Sequence, residues 1–443
     1  MSEAVIFKPN RIFEREGRKF LYSIEDSALY EIDDKLEQVI ELDGLTMQEI
    51  FTKLVMVKNM DVDEVRNLLQ MICEAGLIDG MDKSPKKNPR INLSSLTLMV
   101  CQECNMKCAY CYGEGGEYKN KGKMSKETAL RAVDYLIENS KEDELAIAFL
   151  GGEPLMNFEV IKDVVEYCKK KSEETNKRFI YTITTNGTLL TPEKEEFLVA
   201  NNIKTQISID GKKEAHDNMR YFEQKVPSYD VVLEKTKSMR EKNLLSARAT
   251  LSPNNLDYVE TFKHLSELGF NAIPISPAKN LLKDKDFKKE YSEFEKYVSY
   301  FKQVVKDKNF EVAGKMTEFN KAMEKIDNAG KREYGCGAFH RTYAVDIDGY
   351  LYPCHRFVGL PQFRMGNIFT DSNKYEVEKW KHVDYREKCS KCWLKNLCGG
   401  GCAYDNYVKN GSINVASTEF CKHMDLLYRA VIDVYIDNNY INS

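Results

Sequence analysis

"CQECNMKCAYCYGEGG", residues 101–116, places four cysteines within positions 101–111 and then runs into glycines. Zinc, a disulfide and an iron–sulfur cluster compete for these thiols. Paired CxxC units that close a zinc ribbon are usually separated by about a dozen residues or more, whereas three residues part the pairs here. Taken instead as Cys104, Cys108 and Cys111, the spacing is C-x3-C-x2-C, with Cys101 left as the last residue of a strand. Three thiolates on one loop leave one iron of a 4Fe–4S cluster without a protein ligand. A loop at the C-terminal end of a strand is where parallel α/β folds place their ligands.

The rest of the chain narrows the choice. At 443 residues it is long enough for two or three domains. Hydrophobic content of 42% and charged content of 30% suit an ordinary globular protein. A net charge of -4 gives no bulk attraction to nucleic acid or to an anionic membrane. No run approaches the ~18 apolar residues of a membrane span. The opening "MSEAVIFKPNRIFEREGRK" lacks the apolar core of a signal peptide. The expectation is a cytoplasmic protein with reduced thiols, in which 13 cysteines argue for metal. Four lie at 101–111 and seven between Cys336 and Cys421. Cys73 and Cys168 stand alone on helical patterns and read as buried core thiols.

Residues 1–82 read as a small winged-helix-like unit. "FLYSIEDSALYEID" suggests one or two strands, "LTMQEIFTKLV" a helix, and "DVDEVRNLLQMICEAGLI" a second helix capped by Asp61. "DKSPKKNPR" at 82–90 is a linker candidate. Between 94 and 310, six β-branched runs ("LTLMV", "ELAIAFL", "FIYTITT", "KTQISI", "SARATLS", "NAIPIS") mostly alternate with helical stretches. That pattern predicts parallel strands with right-handed crossovers, either a barrel or a doubly wound sheet. Segment 281–333 is charged and helical. Residues 334–443 combine short elements with dense cysteines, as where metal substitutes for a large core.

"CNMKCAYCY" resembles the signature of the radical S-adenosylmethionine (SAM) superfamily, and the motifs that follow keep that family's order. "GGEP" ends the second strand, "TTNG" the third and "SIDG" the fourth; "HDNMR" (216–220) and "RAT" (248–250) match further positions. The resemblance implies a partial (β/α)6 TIM-like barrel whose 4Fe–4S cluster is held by Cys104, Cys108 and Cys111. It also implies S-adenosyl-L-methionine against Gly151, Gly152, Glu153, Pro154, Thr185, Asn186, Ser208, Asp210 and Arg248. A Gly-Gly turn would let backbone approach the ligand closely. Family members more often carry a residue other than cysteine at position 101; a fourth thiolate there would block SAM, so Cys101 is expected to be structural.

The C-terminal spacing, Cys336, Gly349-x4-Cys354, Cys389-x2-Cys392-x5-Cys398-x3-Cys402 and Cys421, resembles the SPASM extension of radical SAM peptide-modifying enzymes. That implies two auxiliary 4Fe–4S clusters, three clusters in all: one on Cys336, Cys354 and Cys402, the other on Cys389, Cys392, Cys398 and Cys421. Two full clusters need eight ligands and this region offers seven, so one auxiliary iron is expected to be open to a substrate thiol. "DIDG" at 346–349 lacks the other ligands of a calcium loop and reads as a hairpin turn. His355 and Arg356, in "PCHRFVG", either contact substrate or pack beside the cluster.

The unit 1–82 is similar to the peptide-recognition elements of peptide maturases, which pair a leader with a sheet edge; its acidic second helix does not suit DNA. The whole implies a maturase that forms thioether crosslinks in a cysteine-containing precursor peptide. A 5'-deoxyadenosyl radical would abstract hydrogen, with electrons supplied by a donor such as flavodoxin or ferredoxin, and no nucleic acid or membrane partner. Alternatives are carbon–carbon or carbon–oxygen crosslinking, a sulfatase-type formylglycine maturase, an iron–sulfur electron carrier and a zinc-binding scaffold.

Overall fold

Between residues 95 and 277 each β-branched run becomes a parallel strand because the helix after it covers one face of the sheet. The computed structural model describes residues 4–78, 92–370 and 380–441; the linker candidate 82–90 lies outside them. Three strands near the N-terminus, β1 (Asn10–Arg15), β2 (Arg18–Ser23) and β3 (Ala28–Ile32), form an antiparallel meander. Then come β4 (Ser95–Gln102), the short β5 (Gly122–Lys123), β6 (Glu144–Gly151) and β7 (Arg178–Thr185). They are followed by β8 (Lys204–Ser208), β9 (Leu245–Leu251) and β10 (Ile275–Pro277). The six predicted runs are therefore all strands, though the last covers only three residues.

Strands β4, β6, β7, β8, β9 and β10 lie side by side in chain order and all are parallel. Sequential order without reversal is that of a barrel, since a doubly wound sheet changes direction at a switch point. Along β9, Leu245, Ala247, Ala249 and Leu251 are buried under helices, while Ser246, Arg248 and Thr250 are half-buried on the other face. The sheet continues beyond β4 into β11 (Thr342–Val345), β12 (Tyr350–Tyr352) and β13 (Gly366–Asn367). β11 pairs in parallel with β4, from Thr342 opposite Ser95 to Val345 opposite Leu98. "DIDG" is indeed the β11–β12 turn: Asp346 Oδ1 accepts from the backbone N–H of Asp348 (3.0 Å) and Tyr350 (2.8 Å).

The N-terminal meander leads into helices Asp34–Ile40, Met47–Met56 and Val62–Glu74, the last capped by Asp61, whose side chain accepts from the N–H groups of Asp63 and Glu64. Strand β1 and the helix Asp34–Ile40 were not anticipated. The two faces of the meander serve different cores. Leu21 packs with Val39, Ile50, Leu54, Val65 and Ile72 in a separate cluster, while Phe13, Phe20 and Tyr22 join the main core. Cys168 is buried, as expected. Cys73 is exposed: Val65, Leu68 and Ile72 fill the inward stripe of its helix, and Cys73 falls one residue past it.

Candidate iron–sulfur and SAM site

Pairing between β4 and β6 shifts register between Met99 and Cys101, so the chain leaves the sheet through a bulge just before the cysteine loop. Cys101 stays inside the strand, fully buried, its thiol donating to Glu103 O (3.6 Å). Cys104, Cys108 and Cys111 lie on the loop beyond and act on one another electrostatically. Cys104 Sγ accepts from Met106 N–H (3.4 Å), and Arg220 Nη1 donates to Cys108 Sγ (3.6 Å).

The glycines of "GGEP" are required by the packing of the protein itself. A Cβ on Gly151 would lie 2.1 Å from Cys101 O, and one on Gly152 would lie 2.3 Å from Glu103 O. Together they let the end of β6 close against the cysteine loop. Glu153 is fully buried and its carboxylate accepts from Thr185 Oγ1 (2.6 Å), Asn186 N–H (2.7 Å) and Leu155 N–H (3.0 Å). It ties the end of β6 to the end of β7. Asn186 in turn donates to Asn105 Oδ1 (2.9 Å) on the cysteine loop. Pro154 opens the short helical turn that follows, and Ser208 ends β8.

Asp210 is buried and holds three donors: Tyr110 Oη (2.6 Å), Arg220 Nε (3.1 Å) and Thr250 N–H (3.0 Å). The Arg220 guanidinium lies over the Tyr110 ring, 5.2 Å from its centroid. A chain of contacts thus runs from β8 and β9 through Asp210 and Arg220 to Cys108. Arg248, on the half-buried face of β9, donates to Ser276 Oγ (2.9 Å). Its neighbour in charge is Glu318, at the start of helix Thr317–Asp327. Both Glu318 carboxylate oxygens are buried with no hydrogen-bond partner among the described residues, and burial pushes its pKa up to about 7.

The seven C-terminal thiols fall into two groups. Cys336, Cys354 and Cys402 influence one another. Cys389, Cys392, Cys398 and Cys421 line one cavity of about 150 Å³. Arg356 is engaged beside the first group: it pairs with Asp405, contacts Cys402 Sγ (3.7 Å) and lies 4.3 Å from the Tyr404 ring centroid. His355 stands 6.1 Å from the Tyr112 ring; burial and the Arg356 and Arg248 charges push it down to about 4, so it is neutral near pH 7.

These residues fit iron–sulfur clusters. Burial pushes Cys104, Cys354 and Cys398, one thiol in each group, up to about 12. Thiols so placed become thiolates only when a cation offsets the desolvation. Among the described residues, no three or more His, Cys, Asp or Glu side chains are arranged to hold a single metal ion. Cys389, Cys392, Cys398 and Cys421 instead surround a cavity, as ligands of a multi-iron cluster must. Sequence reasoning gave no role to Tyr110, Arg220, Asp405 or Arg386. Tyr110 and Arg220 stood inside quoted motifs; Asp405 and Arg386 carried no spacing signal.

Known proteins give the same direction. Residues 98–265 match the family model of the Radical SAM superfamily. An uncharacterized protein of Methanocaldococcus jannaschii is 31% identical over 291 residues, 65% of this chain and 93% of that protein. A cysteine-type anaerobic sulfatase-maturating enzyme of Clostridium novyi is 25% identical across 70% of this chain and 88% of the enzyme. The radical SAM cyclopropyl synthase TigE of Paramaledivibacter caminithermalis is 23% identical across 97% of this chain and 96% of its own. In fold, native anSMEcpe with bound AdoMet and Kp18Cys peptide superposes with a TM-score of 0.66 at 22% identity, covering 79% of this chain and 99% of that one. Among the described residues no helix is long and apolar enough to cross a membrane. The chain belongs to the radical SAM superfamily and is a radical SAM enzyme, with SAM and a 4Fe–4S cluster as its cofactors.

Proposed function

We propose that this enzyme is a peptide maturase that installs intrapeptide thioether crosslinks in a ribosomally made, cysteine-containing precursor. The observation that carries the reading is the division of the C-terminal thiols into a group of three and a group of four. Cys336, Cys354 and Cys402 would hold an auxiliary cluster with one iron left for a substrate thiol, and Cys389, Cys392, Cys398 and Cys421 would hold a second, fully ligated one. With Cys104, Cys108 and Cys111 this makes three clusters.

When bound to the first site, the cluster and SAM supply a 5'-deoxyadenosyl radical that takes hydrogen from a peptide carbon. The chain's own residues position and shield that chemistry. Glu153 fixes β6 against β7, Asp210 and Arg220 brace the loop at Cys108, and Gly151 and Gly152 seal the loop against β6. Arg248 and Glu318 put opposite charges on the side of β9 away from its covering helices. Residues 1–82 act as the leader-binding unit and 94–310 as the radical SAM barrel. Residues 334–443 form the SPASM unit, whose auxiliary clusters would accept the surplus electron, while a donor such as flavodoxin or ferredoxin would supply the electron for SAM cleavage.

A sulfatase-type maturase is the second reading, favoured by the sulfatase-maturating relative. One experiment separates them: incubation of reconstituted enzyme, SAM and dithionite with the cysteine-bearing peptide encoded beside its gene, followed by mass spectrometry. Thioether formation removes two hydrogens and leaves a sulfur that iodoacetamide no longer alkylates. Formylglycine loses the sulfur and reacts with hydrazines. An unmodified peptide alongside SAM cleavage would reject both assignments for that substrate.

A further inference from the structure

The four-thiol cavity contains a cation without a counter-charge. Arg386 is 3% exposed and lines the cavity with Cys389, Cys392, Cys398 and Cys421. Its Nε donates to Lys381 O (2.8 Å), and Nη1 donates to Gly399 O (3.4 Å) and Gly400 O (3.2 Å). The guanidinium carbon stands 4.3 Å from the Trp380 ring centroid. Among the described residues Nη2 is a buried donor with no partner. Gly400 keeps room for the group: a Cβ there would lie 2.2 Å from Arg386 Nη1 and 3.5 Å from Cys389 Sγ.

Two other cations beside cysteine groups pair with carboxylates, and Lys388, which also lines the cavity, is exposed to solvent. Lys395 lines the same cavity but pairs with Glu25 and Asp384. Arg356, beside the three-thiol group, pairs with Asp405. Among the described residues, Arg386 pairs with no carboxylate, and the groups whose charge favours its own are Tyr334 and thiols, Cys389 first. Burying a guanidinium and an unsatisfied N–H is unfavourable, unless an anion occupies the cavity.

We propose that Arg386 is the counter-charge of the cluster held by Cys389, Cys392, Cys398 and Cys421, its Nη2 donating to a sulfur of that site and raising its reduction potential above that of the three-thiol site. The inference rests on the four-thiol cluster of the proposed function. On one-electron reduction a cluster gains a negative charge, and a fixed cation with an N–H···S hydrogen bond favours the reduced form. Arg386 is then a positioning residue that makes the four-thiol site the stronger electron acceptor. Arg356 donates to Cys402 Sγ (3.7 Å), but Asp405 offsets its charge.

The test is potentiometric titration of the anaerobically reconstituted full chain, followed by electron paramagnetic resonance, with iron counted per chain. Cys398→Ala identifies the signal of the four-thiol site; if it removes neither iron nor a signal, the cluster assignment itself fails. With that signal identified, Arg386→Gln at wild-type iron should lower its midpoint about tenfold in the reduction equilibrium, or 59 mV for a one-electron couple. The other midpoints should stay in place. An unmoved midpoint overturns the role of Arg386. Should Arg386→Gln fail to retain iron, pulsed resonance on wild-type protein carrying 15N-arginine decides: a guanidinium nitrogen coupling at this signal, lost in Arg386→Lys, supports the proposal, and no coupling overturns it.

Discussion

The cysteine loop after β4 and the C-terminal cysteine unit solve one problem in opposite ways. In the loop, Cys104, Cys108 and Cys111 are neighbours in the chain, and the parallel sheet fixes their position through Gly151, Gly152 and Glu153. In the C-terminal unit the thiols are gathered from Cys336 to Cys421, and short elements are fixed by charges and rings such as Arg356–Asp405 and Phe339–Trp380. A site built on one loop depends on its scaffold. A site gathered from distant segments depends on the ions it binds.

That contrast can be broken or sharpened by experiment. Cys104→Ala should abolish SAM cleavage altogether, and retained 5'-deoxyadenosine formation would remove this loop from the chemistry. Gly151→Ala removes no thiol but drives a Cβ into Cys101 O. Cleavage should fall about 100-fold from a displaced loop, with iron content little changed; full activity would show that the scaffold does not set the geometry.

Removing residues 1–78 should weaken precursor binding, and unchanged affinity would refute the leader-binding role. The structure adds a cost: Trp393, between two thiols of the four-thiol group, packs edge-on against Phe13 (5.6 Å) and Tyr22 (6.1 Å), and Asn396 donates to Ile24 O (2.6 Å). The truncated chain should therefore also lose about four irons of about twelve, seen by iron analysis. Trp393→Ala isolates that contact and should destabilise the full chain by about 3 kcal/mol in denaturant unfolding.

Glu318→Gln probes the barrel side at smallest scale. The folded chain holds the Glu318 proton more tightly than the unfolded chain does. Wild-type stability should therefore fall as pH rises from about 4.3 toward about 7 and stay level above. The variant should gain over wild type across that window, reaching about 3 kcal/mol, and pH-independent differences would show that this carboxyl is solvated.

Much of the barrel was legible because period-two runs and intervening helices are local signals, and the cysteine spacing is local too. Arg220 and Tyr110 were visible in the motifs, but their joint hold on Asp210 was not, since it joins the loops after β4 and β8. Glu153 was visible as part of the "GGEP" motif, but its burial and its hydrogen bonds to Thr185 and Asn186, which tie β6 to β7, carried no sequence signal. Cys73 shows the limit of helical periodicity, where one residue of phase separates core from solvent. Arg386 needed the cavity itself.

The pairing of β11 with β4 also has a bearing on synthesis at the ribosome. Strand β4 carries the cysteine loop at its end, yet the edge beside it is covered only when Thr342–Val345 have been made. Until then the half-made barrel presents an apolar strand edge with unpaired amides, the feature that invites aberrant pairing between nascent chains. Co-expressed chaperones should therefore raise the yield of soluble protein more than added iron does, and slowed translation upstream of residue 342 should lower it.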